Sequence, residues 1–238
     1  MIYNLAQIKR GGIVLRSFAG IIKTTLLMSI ALILVSCAPS SYYINMQYQP
    51  SKVAPETSDI KKSAAITIAN LNDLRPGGDN LQVGTVVTSE GKMLPVMQKD
   101  VKPSKAVSVA IGDYLKKAGY TLTSETPNWN LQENAINKEW GKILIGGNID
   151  KLEIICDNKQ WIKKYRADVK ISLFFADVQK GRIFYRISAK GGASLEHVKL
   201  SDETLEQQVN GALSSAIEDI FESATFKSKI QEALKQAP

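Results

Sequence analysis

The chain has one histidine and two cysteines in 238 residues. His197 has neither a second histidine nor a cysteine at ligand spacing, which excludes the usual zinc sites built from three or four such side chains. A glycine-rich phosphate loop, a G-x-S-x-G elbow and an H-E-x-x-H helix are all missing. Carboxylates are scattered, and none forms a pair on an obvious strand end. These gaps point away from an enzyme and from any cofactor or metal, and they leave His197 as a solvated loop residue. Long hydrophobic runs are missing too. The main one, Thr24 to Val35, is about 12 residues, whereas a membrane-crossing helix needs roughly 20.

That run is preceded by Lys9, Arg10, Arg16 and Lys23 with no acidic residue, and it ends in the small residue Ser36 before Cys37. The order is that of a secretory signal peptide. Leu34-Val35-Ser36-Cys37 resembles the bacterial lipoprotein box, in which the thiol receives a diacylglycerol and the peptide is cut just before it. The resemblance implies a signal peptide over 1–36 and a lipid on Cys37. Ala38, standing where an Asp would retain the protein, implies an outer-membrane lipoprotein facing the periplasm. Loss of the leader removes four positive charges and no negative one, taking the formal charge from +7 to +3. That is too small an excess to mark a nucleic-acid partner. With Cys37 acylated, only Cys156 remains and no internal disulfide can form. Cys156 closes the apolar run Leu152-Glu153-Ile154-Ile155 and reads as a small buried hydrophobe.

Residues 37–63 are rich in Ser, Pro, Tyr and Gln without an apolar period, and read as a flexible tether of roughly 25–30 Å average span. Tyr42, Tyr43 and Tyr48 leave docking on the domain or the lipid open. Residues 64–238 are enough for one domain with a core. Ile66 and Ile68 mark a first strand, and the turn-rich stretch after it holds Asp73 and Arg75, read as a local turn pair. Gln82 to Ser89 reads as a strand and the stretch from there to Lys102 as irregular. Pro103-Ser104 opens a helix with Val107, Ala110, Ile111, Tyr114, Leu115 and Ala118 on one face, stopped by Gly119. A short strand follows over Tyr120 to Ser124. A polar excursion, Glu125 to Trp140, leads to a long strand from Lys142 to Cys156, in which Gly146-Gly147 marks a bulge or a close backbone approach.

Tyr165, Ala167, Val169, Ile171, Leu173 and Phe175 alternate with polar residues, and Ile183, Tyr185, Ile187 and Ala189 repeat the pattern. Keeping both apolar sets on one face demands an odd-numbered loop, and Gln179-Lys180-Gly181 fits, with Gly181 left-handed. The register then pairs Phe175 with Tyr185, Leu173 with Ile187 and Ile171 with Ala189. On the other face it sets Lys170 opposite Lys190 and Phe174 opposite Arg186. Arg166 and Arg182 lie farther along that side, and Phe184 joins Phe174 as an outward aromatic. Arg166, Lys170, Phe174, Arg186 and Lys190 form the candidate binding surface. Ser201 caps a further helix with the apolar stripe Leu205, Val209, Ala212, Leu213, Ala216, Ile217 and Ile220. A last helix runs from Lys227 to Lys235.

The order of these parts resembles the YajG-type family of uncharacterised Gram-negative outer-membrane lipoproteins. The resemblance is carried by the lipoprotein box, Ile66-Thr67-Ile68-Ala69-Asn70 running into Asp73-Leu74-Arg75, Tyr114-Leu115-Lys116-Lys117-Ala118-Gly119-Tyr120, Tyr165-Arg166-Ala167-Asp168-Val169, and Val209 to Ile220. It implies a location and an architecture and no catalytic residue. The expected fold is α+β: a twisted, mostly antiparallel sheet with two amphipathic helices packed on one face. The expected function is a non-enzymatic envelope lipoprotein. It is held to the membrane by its lipid and binds an envelope protein or an anionic envelope polymer. An auxiliary subunit of an envelope transport or assembly machine and a cryptic hydrolase are the alternatives.

Overall fold

A 15-residue strand, Ile143–Asp157, is the spine of the molecule, and its two edges are used differently. The computed structural model describes residues 40–50, 65–78 and 80–235. Within them the elements are β1 (Tyr42–Ile44), β2 (Ala65–Ile68), β3 (Asn72–Asp73), β4 (Gln82–Val87), β5 (Met93–Gln98), α1 (Pro103–Lys117), β6 (Thr121–Leu122), β7 (Ile143–Asp157), β8 (Lys163–Asp177), β9 (Arg182–His197), α2 (Asp202–Glu222) and α3 (Ala224–Lys235). Along one edge β8 pairs antiparallel with all of β7, and β9 pairs with β8. The other edge is divided among β2, β3 and β4, all parallel to β7. The nine strands make one mixed sheet curled into a half-barrel, with three helices packed against it, so the fold is α+β as expected. Its long ladders are the antiparallel ones.

Alternation explains the layers. The odd-numbered residues of β8 from Tyr165 to Phe175 are buried under the helices, together with Ile149, Leu152 and Ile154 of β7. On α2 the stripe from Leu205 to Ile220 is buried as its spacing requires. The Ser201 hydroxyl accepts the Thr204 amide at 3.3 Å, and Asp202 and Glu203 meet the positive end of the helix dipole. Gly191 lets α2 come close: a Cβ there would stand 1.8 Å from the carbonyl oxygen of Ala212. The aromatics Phe175, Phe221 and Phe226 pack at ring distances of 5.0 to 6.0 Å where α2, α3 and the sheet meet.

Three expectations are corrected. The tether placed over 37–63 is folded where it is described. Tyr42–Ile44 adds a strand parallel to β5, and Ile44, Met46 and Tyr48 are buried. The stretch read as irregular after Ser89 holds β5. The turn after β8 runs over four residues, 178–181, with Gly181 at φ +63°, and a register shift next to it leaves Phe184 as an extra residue in β9. The turn and the bulge together supply the odd count. The register therefore falls as expected from Phe175 opposite Tyr185 onward, while Ile183 and Phe184 exchange faces. Phe184 packs on the main core, 6.5 Å from Phe175, and Ile183 joins a smaller cluster with Trp129, Leu144 and Ala176 on the other side. Arg182, opposite the buried Asp177, likewise leaves the face of Arg166.

Beyond Ile44 the chain runs along α2, and spacing makes the fit. Two strand residues advance about 6.6 Å and four helical residues about 6 Å. Successive alternate amides of the segment thus meet side chains four apart on the helix. Asn45 donates to Glu206 at 2.8 Å, Gln47 to Asn210 at 2.9 Å and Gln49 to Ser214 at 2.9 Å. The Tyr48 hydroxyl donates to Glu218 at 2.9 Å. A strand end lying on a helix finds no backbone ladder, so these polar side chains satisfy groups whose burial would otherwise be costly.

Candidate functional site

The face of β7–β9 turned away from the helices carries the candidate surface. Lys170 stands opposite Lys190 and Phe174 opposite Arg186, as the register requires. Arg186 lies over the Phe174 ring, 5.2 Å from its centroid. A guanidinium over an aromatic face keeps its N–H donors for a ligand. Arg166 lies opposite Ser194 and is 3.4 Å from Asp168, which also takes Lys151 at 3.0 Å. Lys170 is 3.8 Å from Asp150, the residue that the bulge in β7 adds to this face. Ser172 donates to Asp150 and meets Ser188 at 2.6 Å. Among the described residues no carboxylate reaches ion-pair distance of Arg186 or Lys190. The five candidates therefore divide: Arg166 and Lys170 are laced into acids, Arg186 and Lys190 are exposed to solvent, and Phe174 is half-buried against the small cluster around Trp129 and Leu144.

Other candidates resolve into structure. Arg75 grips Asp73 through both carboxylate oxygens at 2.6 to 3.0 Å and donates to the carbonyls of Asn80 and Gln82. Both side chains are buried, so this local pair clamps the turn leading into β4. Cys156 has no exposed surface, and burial pushes its thiol up to about 11. At neutral pH it stays protonated and unreactive. His197 ends β9, exposed, its ring bonded to the Lys199 backbone. Cys37, the lipidation candidate, lies outside the described residues.

One feature had only a diffuse sequence signal. A hollow of about 730 Å³ opens between the start of α1 and the 128–135 excursion, lined by Asn70, Asn72, Asn128, Asn130, Lys102 and Lys105 among others. Asn70 donates to Asn128 at 2.9 Å and Asn72 to Asn148 at 3.2 Å. Carboxamides that both donate and accept, beside lysines, can hold a polar ligand. Their positions are far apart in sequence: the pairing of β3 with β7 sets Asn72 beside Asn148, and a parallel bridge sets Asn70 beside Asn128.

No protein-family model and no curated protein matches this chain. Among solved structures it is similar to a DUF330 protein from Xanthomonas campestris, at 9% identity and a TM-score of 0.46 over 81% of this chain and 97% of that one. It is similar also to a neuraminyllactose-binding hemagglutinin homolog from Helicobacter pylori, at 11% identity and 0.40 over 80% and 98%. A lipoprotein from Neisseria meningitidis aligns at 10% identity and 0.37 over 67% and 99%.

Proposed function

We propose that the protein is a lipid-anchored lipoprotein of the bacterial outer membrane with a non-enzymatic binding role, and that the open face of the β8–β9 hairpin meets an anionic envelope polymer or an acidic partner protein. The observation that carries this reading is Arg186 over the Phe174 ring, with Lys190 exposed on the same strand face and no described carboxylate at ion-pair distance of either. Strands packed on their other side hold these groups in place, so little ordering entropy opposes binding. Basic leader, short apolar run and Leu-Val-Ser-Cys support the anchor on Cys37.

Two measurements test it. Fatty-acid labelling in cells is expected to mark the wild type and not Cys37→Ala, and equal labelling of both would overturn the anchor. Co-sedimentation with isolated peptidoglycan sacculi is expected to weaken with added salt and to fall at least tenfold in Lys190→Glu with Arg186→Glu, at an unchanged melting temperature. Unaltered sedimentation of that stable variant would remove the face from the function.

A further inference from the structure

The registers place Met93, Val87, Asp157, Lys164 and Glu196 in one row across β5, β4, β7, β8 and β9. The β4–β5 turn, the β7–β8 turn and the segment after β9 therefore project from the same end of the sheet. They carry the two most exposed large apolar side chains among the described residues, Trp161 at 82% and Met93 at 75%, together with Ile162 and Val198. Lysines surround them. Lys92 is 2.9 Å from Glu90 and Lys164 is 3.6 Å from Glu196. Asp157 accepts the Lys159 amide, and Asp202 and Glu203 open α2 nearby. Lys159, Lys163 and Lys199 make no ion pair with any described carboxylate.

We propose that this end of the sheet docks on an anionic lipid surface, with Trp161 and Met93 in the headgroup layer and the lysines on lipid phosphates. An indole is apolar with one donor at its rim, and a lysine reaches past apolar surface to place its ammonium in the polar layer. A second observation supports the orientation. β1 runs parallel to β5, and Tyr42 pairs with Val96, three positions inward from Met93, so the chain comes into the domain from this same end. Cys37 precedes Tyr42 by five residues, a reach of about 17 Å, which spans the roughly 10 Å back to the Met93 row. The docking rests on the lipid-anchor reading for this convergence, since acyl chain and apolar turns then lie in one plane. Phe174 and Arg186, ten positions along β8 from Lys164 and opposite each other, stand about 33 Å from that plane, clear of the membrane.

The test uses the acylated full chain on vesicles of phosphatidylglycerol and phosphatidylethanolamine with brominated acyl chains. The emission that Trp161→Phe removes is expected to shift to the blue and to be quenched at least twofold relative to unbrominated lipid. Lys159→Glu with Lys163→Glu is expected to cut the quenching at least twofold without moving the melting temperature. Trp161 emission that ignores the lipid overturns the docking, and so does emission shielded only by a second protein. Equal quenching by purely zwitterionic vesicles also overturns it, because the lysines would then contribute nothing. The failures are distinguishable: a labelled Cys37 with Trp161 unquenched keeps the anchor and removes the docking, and an unlabelled chain with Trp161 quenched does the reverse.

Discussion

The two faces of the β7–β9 sheet are made by the same strands and obey different rules. Under the helices, Ile171, Leu173 and Phe175 have no exposed surface and α2 lies against Gly191 too closely for any side chain. On the open side Lys170 stands opposite Lys190, and acids and bases interleave at 3.0 to 3.8 Å. The packed face is specified by volume, because an interior at crystal-like density has no room for an added or missing methylene. The open face is specified weakly, since exposed ion pairs contribute about 0–1 kcal/mol each. Charge there is free to serve a partner.

Removing residues 1–50 is the harshest way to break the packed side. It takes away Ile44, Met46 and Tyr48, each worth about 1.5–3 kcal/mol of burial, from a fold whose whole stability is about 5–15 kcal/mol. Loss of a cooperative thermal transition, or a fall of more than about 10 °C, is the expected result. A truncated chain melting within two degrees of the intact one would place the boundary of the core at the sheet. Gly191→Val comes next: its side chain must displace α2, and denaturant unfolding should show a loss of about 3 kcal/mol or more. Tyr48→Phe removes one buried hydrogen bond to Glu218 while keeping the ring against Tyr114, and should cost about 1–2 kcal/mol in urea.

These sites also show what could be read from the chain. Alternation over 165–175 fixed one face, and its register with β9 followed from parity alone, so Lys170 opposite Lys190 was legible before any coordinates. The bulge at Phe184 was not, because a four-residue turn plus a one-residue bulge gives the same register from Tyr185 onward as an odd-numbered turn would, and only Arg182, Ile183 and Phe184 change face. Residues 41–49 misled for a different reason. The amides of Asn45, Gln47 and Gln49 are satisfied by side chains of α2, so this part of the segment needs no strand period of its own, and the signal lies 161 to 170 residues away in Glu206, Asn210, Ser214 and Glu218. A polar row at four-residue spacing beside an apolar stripe marks a helix that receives a chain. The apolar turns at the Met93 end were invisible for want of topology: parallel pairing of β4 with β7 brings positions 87 and 157 side by side.

The smallest expected effect is the sharpest test of the open face. Lys190 faces Lys170 directly, and like charges opposite one another in a sheet are unfavourable. Lys190→Glu exchanges that repulsion for an attraction and should raise stability by about 0.5 kcal/mol at low salt. Lys170→Glu looks like the same exchange and is not, because Asp150 stands 3.8 Å from the Lys170 ammonium. A carboxylate there gains Lys190 and meets Asp150, so stability should fall by a few tenths of a kcal/mol. Both shifts should shrink toward zero near 1 M salt, where charges are screened beyond about 3 Å. Opposite signs that collapse with salt would show a face governed by pairwise charge in water. Shifts of the same sign, or shifts indifferent to salt, would mean that backbone or packing reaches this face too, and that the bulge at Asp150 does more than place an acid beside Lys170.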